Sequence, residues 1–197
     1  MNDAYLIGHP WLPAIAWAVL YTSDYYLTLY GARLADAQPF IGREGSYELT
    51  PAFQRDIDGR RRLSWVFLLW LVWGFVMLVA GGYKVSAATL PLWAGFVGFL
   101  IVRELAVHVR HFNNITAYAK LGSARPGATG RIAYTRAYAY RQSAVQLAGM
   151  SLYTLVLSAA TWSPAVLGGG IGLAALAIEH ARRAAASAPV AGSKQTG

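Results

Sequence analysis

The chain has 197 residues, 56% of them hydrophobic and 13% charged, and a mean hydropathy of +0.36. A soluble domain carries about twice that share of charge, which argues against a soluble globular protein, a disordered chain and a nucleic-acid-binding domain, despite the net charge of +8. The lack of cysteine excludes disulfides, thiolate catalysis and cysteine-based metal sites.

The opening residues, MNDAYLIGHP, contain neither a positive n-region nor an A-x-A-like cleavage site, so the first apolar segment is expected to stay in the mature protein. A bilayer core takes about 20 predominantly apolar residues per helix. Five segments meet that length: 11–30, 64–83, 91–109, 143–162 and 164–180. The second carries no charge at all. Before it, Thr50-Pro51 reads as the N-cap and first position of a short surface helix over 51–62. The third runs on through RELAVHVRHFNNITAYAK until LGSARPGATG breaks it. RIAYTRAYAYRQ, residues 131–142, alternates arginine with tyrosine as an interfacial helix does. Only Ser163 separates the last two spans, which predicts a tight helical hairpin. Gly168, Gly169, Gly170 and Gly172 leave a re-entrant path open for the last one. Residues 1–182 thus form one transmembrane domain, and residues 183–197 are expected to be a disordered tail.

The basic residues test this count. Arg33, Arg43, Arg55, Arg60, Arg61 and Arg62 lie between the first two spans. Arg103, Arg110, Lys120, Arg125, Arg131, Arg136 and Arg141 lie around the end of the third and before the fourth, and Arg182, Arg183 and Lys194 follow the fifth. Of the 17 Lys and Arg residues only Lys84 falls elsewhere. Five spans with the N-terminus outside put all the others on the cytoplasmic side, as the positive-inside rule requires; four spans would split them. The expected fold is therefore an all-α polytopic bundle with a cytoplasmic C-terminus, in a prokaryotic plasma or inner membrane. Its basic face orients the chain and meets anionic lipid headgroups, and no nucleic-acid partner is expected.

Few polar residues fall at membrane depth, and they are the candidates for chemistry. Asp24 lies within the first span, with Thr28 at i+4 and Tyr21 at i−3 on its face. A carboxylate there faces protein or water. It reads either as an ion, proton or substrate site, or as a buried group that fixes helix packing. Glu104, His108 and His111 fall within an arc of about 60° on one helix. That set can ligate a divalent metal such as Zn²⁺ or Fe²⁺; the other readings are a solvated helix end, and a proton relay or anion site. Arg103 and Arg110 lie on a neighbouring flank, placed to clamp a phosphate or carboxylate, or to anchor at the inner leaflet. Glu48, Glu179 and His180 fall at the same depth, and closure of the bundle would bring all of these groups to one polar pocket.

Ala94-x3-Gly98 and Gly168-x3-Gly172 are small-residue pairs suited to close helix contact, within the chain or between copies. Trp65, Tyr83, Trp93 and Trp162 sit near span ends as interfacial anchors. Asp24, Thr28 and Gly31, followed by Tyr47-Glu48-Leu49-Thr50-Pro51, resemble a pattern in small prokaryotic multi-pass membrane proteins, in which Asp-x3-Thr in the first helix precedes a Glu-x-Asn-Pro motif. Thr50 stands here where that pattern has Asn. The resemblance covers about 30 residues and implies no activity.

Two function classes stay open. One is a non-enzymatic small transporter, channel or membrane-assembly component acting as an oligomer, with Asp24 and Thr28 as its central residues. The other is a membrane-embedded enzyme acting on a lipid or small hydrophobic substrate through Glu104, His108 and His111, as divalent-metal ligands or as acid–base groups, with Arg103 and Arg110 on a headgroup. The first is preferred because no enzyme signature is complete.

Overall fold

The computed structural model describes residues 9–38, 41–43, 45–122 and 132–187. In chain order the elements are α1 (Trp11–Asp36), β1 (Ile41–Arg43), α2 (Pro51–Asp58), α3 (Trp65–Gly82), α4 (Leu90–Gly122), β2 (Ile132–Tyr134), α5 (Arg136–Thr161) and α6 (Pro164–Ala186). Among the described residues the regular elements other than β1 and β2 are helices, and the two strands pair in parallel with Gly42 opposite Ala133. Four helices, α3 to α6, are long and apolar enough to cross a membrane. α1 is long enough at 26 residues, but Asp24 and four tyrosines between Tyr21 and Tyr30 lower its hydropathy below theirs.

Hydroxyl side chains start the helices. Ser64 Oγ accepts from Phe67 N at 3.2 Å, Thr135 Oγ1 from Tyr138 N at 3.2 Å and Ser163 Oγ from Val166 N at 3.4 Å; each satisfies a backbone donor that the first turn leaves free. Asp56 takes the Ser64 hydroxyl and Arg61 Nη1, the latter at 3.0 Å, which locks α2 to the start of α3.

Three expected boundaries need correction. The surface helix predicted over 51–62 stops at Asp58, because Gly59 follows and Arg60 turns left-handed at φ 53°. No separate helix covers 131–142: residues 132–134 pair as β2, and one unbroken α5 starts at Arg136 and includes most of the predicted fourth span. Residues 183–186 of the predicted tail are the last turn of α6, while 188–197 lie outside the described residues, as do 123–131 of the expected break. The last segment is a full helix of 23 residues, not a re-entrant loop.

The helices pack in a row: α5 on α6, α6 on α4, α4 on α1 and α1 on α3. Leu147, Leu173, Ala177 and Ala106 fill the α4–α5–α6 junction, and Ala14, Trp17, Leu78 and Val97 fill the α1–α3–α4 junction. Glycines bring the middle of the row together. A Cβ on Gly98 would lie 1.8 Å from the Ala165 carbonyl oxygen, and one on Gly168 would lie 1.8 Å from that of Gly95. The small-residue pairs found in the sequence therefore form an intra-chain seam between α4 and α6. Elsewhere the helices turn apolar side chains outward: Trp65 (84% exposed), Tyr153 (84%) and Trp162 (89%) have no protein cover. Trp93, expected as a belt anchor, instead packs against Gly81, where a Cβ would meet its ring at 2.6 Å.

Candidate functional site

The curved row encloses a cavity of about 700 Å³ that touches all six helices and the loop before α2. Trp17, Trp70, Trp73, Met77, Phe96 and Leu100 form an apolar wall. Toward the α2 end the lining turns polar. Of the eight residues singled out in the sequence, Asp24, Thr28, Glu48, Arg103, Glu104, Arg110 and His111 all line this one cavity. His108 is absent from its lining. Glu179 and His180 reach it from α6.

The two histidines of α4 have different surroundings. His108 Nδ1 lies 2.7 Å from the Glu104 carbonyl oxygen, which can only accept, so the proton is on Nδ1. Its Nε2 lies 2.6 Å from Ser23 Oγ, which itself donates to the Leu20 carbonyl oxygen at 2.9 Å. His111 Nε2 lies 2.8 Å from Asp24 Oδ1 and 3.2 Å from Thr28 Oγ1. The Thr28 hydroxyl already donates to the Asp24 carbonyl oxygen at 2.9 Å. Both neighbours of Nε2 therefore present lone pairs, and the proton is on Nε2. The contact to Asp24 is close without being an aligned hydrogen bond, since Asp24 Oδ1 and His111 Nδ1 are both buried without a hydrogen-bond partner.

This arrangement separates the expected metal set. Among the described residues no three His, Asp or Glu side chains group around a metal position. His108 Nε2 is taken up by Ser23 Oγ, Glu104 Oε1 accepts from Arg103 Nη2 at 2.8 Å, and His111 faces Asp24. The angular spacing on α4 is as expected, but Ser23 and Asp24, adjacent on α1, draw the two rings to different partners.

The loop 45–50 closes the polar end. Tyr140 OH and Arg183 Nη1 both donate to the Leu49 carbonyl oxygen, at 2.7 and 3.0 Å, and Gln54 Nε2 donates to that of Glu48 at 3.1 Å. Glu48 Oε1 accepts from Thr50 N at 2.6 Å. Burial pushes the Glu48 carboxyl above the usual carboxylate range. A Cβ on Gly31 would lie 2.4 Å from Tyr47 OH, so the two halves of the Asp24-to-Pro51 pattern pack directly on each other.

The cavity also involves residues the sequence did not single out. Ser143 Oγ lies 2.5 Å from His180 Nδ1 across the α5–α6 seam. Arg136 reaches the cavity from the start of α5, its guanidinium carbon 5.8 Å from the centre of the Tyr140 ring. A serine in an apolar span and an arginine at its start are too common to stand out without the fold.

No family model, curated protein or solved structure matches the chain.

Proposed function

We propose that this chain is a multi-pass membrane protein that binds an amphipathic molecule inside its bundle. The observation that carries this reading is the two-sided cavity, apolar along Trp17, Trp70, Trp73, Met77 and Phe96 and polar around Asp24, Arg110 and His111. Its volume of about 700 Å³ falls within the roughly 300–1,000 Å³ of small-molecule sites. In this reading α1 is a fifth span, and the N-terminus lies outside. The distribution of Lys and Arg supports that orientation. The polar end then sits at the cytoplasmic leaflet, where lipid headgroups lie. Binding and carriage rather than turnover is the primary role.

The test is native mass spectrometry of the full chain from lipid nanodiscs. The expected result is a retained amphiphile that is lost when Trp73→Ala and Met77→Ala are combined. A wild-type chain that retains none refutes the reading.

The Asp24–His111 contact favours a second reading, in which the chain acts chemically on the same ligand. With Nε2–H held toward Asp24, Nδ1 keeps the lone pair and serves as a general base. Conversion of a retained amphiphile, lost in His111→Gln while binding persists, separates this reading from carriage.

A further inference from the structure

Four arginines and four carboxylates line the cavity, yet the pairs they form leave Arg110 without a carboxylate. Among the described residues Arg103, Arg110, Arg136 and Arg183 line the cavity opposite Asp24, Glu48, Glu104 and Glu179. Arg103 pairs with Glu104, Arg183 with Glu179, and His111 with Asp24. Glu48 directs Oε1 at Thr50 N. Arg136 lies over Tyr140. Arg110 has no ion pair and no hydrogen bond among the described residues, and its Nε is buried without an acceptor. Glu48 and Asp24 act on it through space, but neither reaches ion-pair distance. A buried donor left unmatched is costly, and more so when it is charged. Arg110 also sits at a suitable depth. It lies 20 residues along α4 from Leu90, about 30 Å at the helical rise, which is the thickness of a hydrocarbon core.

Resting on the cavity reading above, we propose that Arg110 is the anchor for an oxyanion head, a phosphate ester or free phosphate, whose paired oxygens match the guanidinium fork. A carboxylate has one such oxygen pair; a phosphate has more, and so keeps oxygens free for a second donor on the cavity wall. The apolar wall then takes whatever the phosphate is esterified to.

The test uses the full chain in phosphatidylcholine nanodiscs containing a minor fraction of phosphatidylglycerol, with native mass spectrometry of the released protein. The wild type is expected to retain phosphatidylglycerol in preference to phosphatidylcholine. Arg110→Ala is expected to lose that preference by about tenfold, the value of one charge-assisted contact. Arg62→Ala, an exposed arginine off the cavity, is expected to keep it, which separates a site from general surface attraction. If Arg110→Ala lowers the thermal midpoint, Arg110→Gln replaces it. A neutral variant at position 110 that keeps the wild-type preference overturns the proposal. Retention of phosphatidylcholine to the same extent by the wild type and by Arg110→Ala overturns it too, and leaves the cavity reading standing; retention of no lipid, with no phosphate bound in the second arm, overturns both. A second arm titrates inorganic phosphate into discs of phosphatidylcholine only. Arg110-dependent phosphate binding there assigns the source to the free ion. Arg110-dependent lipid retention without it assigns the source to an esterified head. Absence of both overturns the proposal.

Discussion

His111 Nε2 approaches Asp24 Oδ1 to 2.8 Å and so ties α4 to α1 at the cavity wall. Asp24→Ala leaves the Nε2–H with Thr28 alone and is expected to destabilise the fold by about 1–3 kcal/mol. His111→Ala should cost a similar amount, and the double variant less than the sum, because each single change strands the same partner. Unfolding in detergent, followed by tryptophan fluorescence, measures all three. Strict additivity would show that the two residues are not coupled.

The α4–α6 seam predicts a sharp contrast among glycines. Gly98→Ala and Gly168→Ala place a methyl group 1.8 Å from backbone carbonyl oxygens, so the helices must separate, at an expected cost of about 1–3 kcal/mol. A Cβ on Gly149 meets nothing within 4 Å, and Gly149→Ala should be neutral or stabilising by up to about 1 kcal/mol through helix propensity. Equal midpoints for all three variants would contradict the seam.

Glu48 sets a pH dependence. Burial raises its carboxyl in the folded chain, so at pH values above the ordinary carboxylate range the folded state holds more protons than the unfolded state. Stability then falls as pH rises from the ordinary carboxylate range up through the raised folded value. Below that window both states are protonated and the effect ends. Glu48→Gln removes the ionisation and is expected to flatten this part of the profile and to raise the midpoint at neutral pH. Thermal midpoints of both proteins across pH check the sign, and a wild-type midpoint that rises with pH through the window would contradict it.

Orientation can be read chemically, because the chain has no cysteine to remove. Ser86→Cys, between α3 and α4, is expected to react with an impermeant maleimide on intact cells. Arg62→Cys and Ser187→Cys are expected to react only after permeabilisation. The reverse pattern would invert the topology.

The spans were legible because apolar length is a local property: 64–83 and 164–180 lie within or over α3 and α6 to within a few residues. The rotation of each helix was not. His108 and His111 fall within a narrow arc on α4, and no angular argument separates them; the division arises because Ser23 and Asp24 meet them from α1. The short β1–β2 pair has no periodic signal to reveal it, being three residues long on each side. Arg110 stood out only as a flanking charge. That it has no partner follows from where Glu48 and Asp24 come to rest, a property of the assembled bundle.

Helix α4 has one more consequence. Phe96 and Arg110 border the same cavity from one helix, 14 residues apart, which at the helical rise is roughly 20 Å. If the cavity holds an amphiphile as proposed, a rigid rod of that length, with an apolar ring at one end and a cation at the other, is a ruler for chain length. Ligands sharing one head but differing in tail should weaken by about fourfold for each methylene missing from the far end, until the tail no longer reaches Phe96.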